Sequence, residues 1–558
     1  MQRLPPGRWQ DPVNRTLKEL LSNSAVERVW NRDPALWKTE PDHQREIAQR
    51  LGWLTVAGAM RKQVGEMAAF RDELSTAGTQ HVVLCGMGGS SLCPEVLRLT
   101  FGSAPGSPRL WVLDSTDPTL ISRVAAHAVP ERSLYLISSK SGGTIEVDSL
   151  FRFFYGRAEQ KLGTKAGSAF AAVTDPGTGL DKLARERGFR HVFVNPPDIG
   201  GRYSALSLFG LAPAAMMGLD VARLLDRAEA MAKACAASAK PDANPGLRLG
   251  ATLGAMATSG RDKLTLLASP RLSGLGLWIE QLIAESTGKE GKGIVPVAGE
   301  PLVEPDRYGS DRFFVYSRLE GDDNEQLDHL VAGLEAAGQP VATLPLADPY
   351  DLAGEFFRWE FATAIAGAAL GIDPFDQPNV QESKDNTGRL LTVYREKGSL
   401  PVEEPDLVDG DLKLYGTGES SLPAALAEFL MRGGPGDYVA VMAYLDMAEP
   451  EGRALEALRL RLLEQTGLAT TLGYGPRFLH STGQLHKGGP NTGLFLQITA
   501  GDKVTLPIPG QPYDFATLKA AQALGDRQAL RQHGRRVLSV DLGPDPLPGL
   551  AHLAEALG

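Results

Sequence analysis

The sequence predicts an α/β protein: two doubly wound parallel-sheet units in tandem, followed by an extra C-terminal α/β module. Three observations carry this. From His81 onward, short apolar runs recur, each bounded by Gly, Ser, Asp or Pro. Stretches of helical periodicity separate them, and the runs are continuously apolar, as in strands buried on both faces. At 558 residues the chain is also too long for one hydrophobic core.

Residues 1–75 read as a helical segment, with apolar positions at helical spacing over Val13–Asn23 and Asp42–Leu74. The first α/β unit, 76–220, contains the runs HVVLCGMGG, RLWVLDS, SLYLISSKSGG, AFAAVTDP and HVFVNPP. An Ala- and Lys-rich helix within Asp220–Pro245 marks the boundary to a second unit, 221–390, with KLTLLAS, FFVYSRL and PVATLPL. Residues 387–420 are polar, punctuated by Gly and Pro and weakly periodic, which predicts a connector. Residues 391–558 take in most of that connector and the C-terminal module. There DYVAVMAYL and GLATTLGYG read as strands around the helix Glu449–Gln465, and LFLQIT and RRVLSVDL flank the helix Asp514–His533.

Composition narrows the function class. A net charge of −10 argues against a general nucleic-acid binder. It leaves room for an anionic small molecule, because backbone N–H groups and one or two cations suffice to hold a phosphate. Three cysteines, Cys85, Cys93 and Cys235, make neither a disulfide framework nor a CxxC zinc motif. The N-terminal stretch lacks a signal-peptide apolar core, and no apolar run reaches membrane-spanning length. The expectation is a cytoplasmic enzyme without a membrane or nucleic-acid partner.

Six segments carry chemistry. In the first, LCGMGGSSL, a strand runs into Gly86-Met87-Gly88-Gly89-Ser90, a turn that lets backbone pass close to a ligand. The third glycine of a dinucleotide fingerprint is missing and no Gly-Lys-Ser/Thr follows, so neither nucleotide motif is present; tight packing is the plainer reading. The second, ISSKSGGTIE, places Ser139, Lys140, Ser141 and Thr144 where a strand enters a helix. Hydroxyls, N–H groups and a lysine at the positive end of a helix dipole make an anion site. The alternative is a serine-rich capped turn, in which the lysine has no capping value. Third, Arg202 in GGRYS is either a surface ion-pair partner or a fixed cation aimed at developing negative charge.

Glu285, in the fourth segment, stands near the end of an apolar helix in AESTGK. Enclosed by apolar neighbours it has the raised pKa of a general base; otherwise it is a solvated glutamate. In the fifth, Gln377 and Lys384 share a face of a helix opening near Pro378, unless the lysine is simply solvated. The sixth is RFLHSTGQLHKGG, which holds His480 and His486, two of only nine histidines, among small polar residues that suit a functional loop.

Together and in this order, the GGS, SKSGGT, GGRYS, AESTGK and FDQP…K segments resemble the glucose-6-phosphate isomerase family, over about residues 75–390. The resemblance implies two sugar-isomerase (SIS) domains. It implies interconversion of glucose 6-phosphate and fructose 6-phosphate through a cis-enediolate, with no cofactor and no metal. Ser139, Lys140, Ser141 and Thr144 would then hold the 6-phosphate, and Gly89 and Ser90 would line the sugar. Arg202 would stabilise the enediolate, Glu285 would move the proton between C2 and C1, and Gln377 would touch the sugar. Lys384 with a histidine would open the ring. By character the chain also resembles the isomerase portions of fused transaldolase–glucose-6-phosphate isomerase proteins. It shows no barrel with a Schiff-base lysine, so no transaldolase activity is expected.

The chain departs from the family pattern at two places. The Gly-Val-Glu of the lysine segment reads Asn379-Val380-Gln381 here, with Lys384 in register. In the family the histidine segment lies between the glutamate and lysine segments; here that interval holds only His329, in the dissimilar NEQLDHLVAGLE. The matching loop comes after Lys384, so the C-terminal module must fold back, within its own chain or onto the neighbouring subunit of a homodimer. Both His480 and His486 align; His480 is favoured. Competing expectations are an isomerase that also accepts mannose 6-phosphate and a non-catalytic sugar-phosphate sensor. The sensor would have no need of Glu285, Arg202, Lys384 and a histidine together.

Overall fold

The computed structural model describes residues 2–557. The first sheet holds β1 (His81–Gly86), β2 (Arg109–Leu113), β3 (Ser133–Ser138), β4 (Phe170–Thr174) and β5 (His191–Val194), all parallel, in the order β2-β1-β3-β4-β5. Its strands read as unbroken apolar runs because both faces are covered. Val82 and Leu84 of β1 enter one hydrophobic cluster, while Val83 and Cys85 enter another on the opposite face. The second sheet, also parallel, is β6 (Lys263–Ala268), β7 (Val295–Ala298), β8 (Arg312–Leu319) and β9 (Val341–Leu346), in the order β7-β6-β8-β9. The third comprises β10 (Leu407–Asp409), β11 (Leu412–Tyr415), β12 (Tyr438–Tyr444), β13 (Ala469–Tyr474), β14 (Gly493–Thr499) and β15 (Arg536–Asp541). Its order is β10-β11-β15-β14-β12-β13, parallel from β15 to β13, with the β10–β11 hairpin added antiparallel.

One hydrophobic cluster joins the N-terminal helices to a face of the first sheet and a face of the second. At its centre the helix Leu352–Leu370 is buried along almost its whole length. The helices Val221–Ala234 and Pro245–Thr258 pack on it. Trp53 and Tyr203 meet at 5.3 Å between centroids, tying the N-terminal segment to the turn that carries Arg202.

A second cluster joins the module to the first sheet. The helix Ile145–Leu162 contributes Leu150, Phe153 and Phe154, and the module contributes Tyr513, Phe515 and Leu518. Among the described residues no helix is long and apolar enough to cross a membrane.

The structure corrects three expectations. The second sheet has a fourth strand, β7, too short to stand out and embedded in the polar run that follows Glu285. The connector is largely ordered: its first part continues the helix Pro378–Lys397, and a later part forms the β10–β11 hairpin. That helix buries only Val380, Ser383, Thr387, Leu390 and Leu391 on one narrow face, so the rest reads as polar. The stretch Asp42–Leu74 is not one helix but Pro41–Ala48, Val56–Met60 and most of Val64–Thr76, broken by short turns.

Phe515 is fully buried where the module meets the first unit, edge-on to Phe153 at 5.9 Å. Phe515→Ala should therefore cost about 3–5 kcal/mol and lower the thermal unfolding temperature. A melting curve that superimposes on wild type would show that the two layers are not joined there.

Candidate active site

A cavity of about 530 Å³ opens at the C-terminal ends of β1 and β3. The chain leaves β1 for β2 on one side and returns to β3 on the other, so strand order reverses here. Open α/β sheets form their ligand crevices at such a reversal. Eleven of the twelve candidate residues named from sequence line this cavity: Gly89, Ser90, Ser139, Lys140, Ser141, Thr144, Arg202, Glu285, Gln377, Lys384 and His480.

Gly89 is required by close approach. A Cβ there would lie 1.9 Å from the carbonyl oxygen of Gly201, so the β1 turn and the Arg202 turn touch backbone to backbone. In the loop after β3, Thr144 is the N-cap of the helix Ile145–Leu162. The hydroxyls brace the loop: Ser139 Oγ accepts from Gly142 N at 3.2 Å, and Ser141 Oγ accepts from Gly143 N at 3.3 Å. Gly142, at φ +69°, supplies the left-handed turn. Lys140 Nζ donates to Asp175 Oδ2 at 2.5 Å and to the Pro197 carbonyl at 2.9 Å. Its charge is therefore shared with a carboxylate that also lines the cavity.

Arg202 is fully buried and fixed from three sides. Nε donates to Ser286 Oγ at 2.7 Å, Nη1 to Gln377 Oε1 at 2.8 Å, and Nη2 to the carbonyls of Pro374 and Asp376. Glu285 Oε1 lies 3.6 Å from Nη1, while Gln281 Nε2 donates to Glu285 Oε2 at 3.0 Å. Burial pushes the Glu285 carboxyl up from its ordinary value, opposed by Arg202 and by the Gln281 hydrogen bond.

His480 reaches the cavity from the loop after β13. Its Nε2–H donates to Glu146 Oε1 at 2.9 Å, and Gln281 donates to its carbonyl oxygen. Glu146 also accepts from Gln522 Nε2 at 2.7 Å, and Gln522 Oε1 in turn accepts from Thr116 Oγ1 at 2.8 Å. Burial works against the charge of Glu146, but the facing imidazole, its hydrogen bond and nearby Lys384 hold the carboxyl below its ordinary range. A carboxylate accepting from Nε2–H leaves Nδ1 as the basic ring nitrogen. Among the described residues Lys384 has no hydrogen-bonding or ion-pair partner, which leaves its ammonium free within the cavity.

His486 is the exception to the sequence reading. It is buried on the helix Gly483–Gly488 between Phe478 and Phe495, with centroids at 6.0 and 5.0 Å, and does not line the cavity. Nδ1 has no partner, and burial pushes its pKa well below the ordinary histidine value. It fills core space as a neutral ring.

Sequence reasoning missed Glu146, Gln281 and Gln522. Gln281 is one helical turn before Glu285, a spacing that would have found it. Glu146 is 334 residues from His480 in the chain and Gln522 is 376 from Glu146, so neither carries a local signal. One group of side chains with ligand atoms close enough to share a metal, His43, Asp373 and Asp376, lies outside the cavity lining. There Asp376 is already paired with Lys289.

Comparison with known proteins agrees with this geometry. Residues 55–295 match the family model of phosphoglucose isomerase. A glucose-6-phosphate isomerase of Rubrobacter xylanophilus is 30% identical over 363 residues, covering 56% of this chain and 83% of that protein. One from Leptospira biflexa is 27% identical over 426 residues, covering 68% of this chain and 94% of that protein. Among solved structures, a hypothetical protein from Thermus thermophilus superposes with a TM-score of 0.58 at 25% identity, covering 71% of this chain and all of that one. A glucose-6-phosphate isomerase from Chlamydia trachomatis gives 0.50 at 20% identity over 67% of this chain and 78% of that one, which speaks for the shared fold. With tandem parallel sheets and a cavity at the strand-order reversal of the first, this chain is an aldose–ketose isomerase and belongs to the glucose-6-phosphate isomerase family.

Proposed function

We propose that this chain interconverts glucose 6-phosphate and fructose 6-phosphate through a cis-enediolate, in the cavity at the strand-order reversal of the first sheet. The observation that carries this reading is the pairing of two opposed proton-transfer groups across one cavity. Glu285 is a buried carboxylate held by Gln281 and close to a fixed guanidinium; His480 is an imidazole oriented by Glu146. An aldose–ketose interconversion needs one base that reaches two adjacent carbons and a separate acid–base for the ring oxygen.

Substrate enters with its phosphate at the loop 139–144. There the hydroxyls of Ser139, Ser141 and Thr144 and the N–H groups at the start of the helix Ile145–Leu162 bind the dianion. Lys140, shared with Asp175, adds charge without being the sole cation. His480 through Nδ1, with the free ammonium of Lys384, moves the proton that opens the ring. Glu285 then takes the proton from C2 and returns it to C1. Arg202, anchored by Ser286 and the carbonyls of Pro374 and Asp376, offsets the charge that develops on the enediolate oxygens and needs no reorganisation to do so.

Glu285→Gln should lower kcat by about 10²–10⁴-fold with binding of phosphorylated sugar acids intact. Exchange of the C2 proton with solvent should disappear with it; retained exchange would remove Glu285 from the mechanism. The reactive form of Glu285 is the carboxylate, so activity falls as pH drops through its raised pKa. The acid limb of kcat/KM should thus lie above the ordinary glutamate value of 4.5. Gln281→Leu removes a donor that favours the charged form and should shift that limb to higher pH; a limb that stays in place or moves down would assign it to another group.

The two histidines give a paired test. His480→Ala should lose most turnover of the cyclic sugar while keeping enolisation of a short open-chain analogue. His486→Leu, which replaces a neutral ring in an apolar site, should keep turnover within a few-fold of wild type. The reverse pattern would exchange their assignments.

A further inference from the structure

We propose that Arg50, from the N-terminal helical segment, is a further substrate-binding residue: the cation that meets the phosphate at the mouth of the loop 139–144. The inference rests on the reading of the cavity as a sugar-phosphate site. None of the six chemistry-bearing sequence segments contains Arg50.

Backbone contacts set where it stands. Leu51 forms an antiparallel bridge with Ile199, and Gly52 N donates to the Asp198 carbonyl at 2.8 Å. Gly52 allows that approach, since a Cβ there would lie 2.3 Å from Asp198 Oδ1. Leu51 and Trp53 are fully buried and hold the strip in place. The partner strip leads from Pro197, whose carbonyl accepts from Lys140, into the turn that carries Arg202. The stem of Arg50 runs beside it: a Cβ on Gly200 would meet Arg50 Cδ at 3.9 Å. The side chain thereby lines the cavity together with Lys140, Asp175 and Thr144. Its charge reaches Asp175, whose carboxyl is pushed up by burial and held down by Lys140, Asn195 and Arg50.

The donors of Arg50 are open to a ligand. Among the described residues its guanidinium makes no hydrogen bond, and its ion-pair partner is Glu46, 3.6 Å away with a side chain 39% exposed. A pair so open to water is weak and gives up the arginine at little cost. Lys140 and Asp175, by contrast, neutralise one another at 2.5 Å. Hydroxyls and N–H groups of the loop would then face a dianion with no net positive charge beside them, and Arg50 supplies it. A planar guanidinium also matches two phosphate oxygens at once, which an ammonium does not. Isomerisation leaves the phosphate charge unchanged, so this contact is equally strong in the ground and transition states and acts on affinity rather than turnover.

The test is calorimetric titration of the full chain with 6-phosphogluconate and with inorganic phosphate, alongside steady-state kinetics on fructose 6-phosphate. Arg50→Met keeps the stem and removes the charge. It should weaken 6-phosphogluconate by about tenfold or more and raise KM to a similar extent, with kcat and melting temperature close to wild type. Arg50→Lys should recover part of the affinity, and Glu46→Gln should bind at least as tightly as wild type. Thr144→Ala is the reference for the loop. If it loses affinity while Arg50→Met binds as wild type does, the inference fails and the phosphate loop stands. If neither variant loses affinity, or wild type binds neither probe, the proposed function falls with it. A fall in kcat with KM unchanged, or a loss that Arg50→Lys does not restore in part, overturns the inference as well.

Discussion

The buried bidentate pair between Arg477 and Asp114 is the joint on which the placement of the histidine loop depends. Nε and Nη2 donate to the two carboxylate oxygens at 2.8 Å each. Asp114 directly follows β2, and Arg477 begins the turn that ends at His480. Further polar joints cross the same interface, among them Lys519 to Asp117 and Gln522 to Glu146. Buried ion pairs are weak sources of net stability, because desolvation consumes most of the Coulomb gain. What such a pair does supply is register: a two-point planar fork accepts one orientation of the histidine loop against the first sheet. The apolar surface around Phe515 provides the adhesion, and the polar joints set where it comes to rest.

That division of labour recurs inside the cavity. Arg202 commits its donors to Ser286, Gln377 and two carbonyls, so its position is fixed before any substrate arrives. Glu285 has a single strong donor, Gln281, and a guanidinium at 3.6 Å, which leaves its charge incompletely compensated. A carboxylate so placed keeps its basicity. Lys140 shows the opposite case, a cation tempered by Asp175. Net charge says little here: in a chain at −10, backbone N–H groups and a few cations arranged locally suffice for the dianion of the proposed substrate.

Strands were legible wherever both faces are covered, because a buried strand must be apolar throughout and is bounded by turn residues. β7 and the β10–β11 hairpin escaped because they are short and their neighbours polar. Residues of the cavity were legible where the backbone itself is constrained, as in Gly89 or the Ser139–Thr144 loop. They were also legible where a rare side chain stands in a distinctive segment, as with Arg202, Glu285 and His480. Glu146 and Gln522 were not, since each acts through a partner hundreds of residues away and looks like any helical polar residue in its own neighbourhood. His486 misled for a related reason. Local polarity in RFLHSTGQLHKGG suggests a solvated loop, whereas the third sheet supplies Phe495 to cover it.

The fold-back of the histidine loop has a consequence for how the catalyst responds to concentration. Glu285 and His480 line one cavity and belong to one polypeptide, so the connection between them is covalent. Where two halves of a site come from separate subunits, mass action sets the fraction of complete sites, and dilution erodes it. Here the effective concentration of one half at the other is set by the chain itself. The meeting of these two side chains is then a property of the fold, and dilution does not separate them.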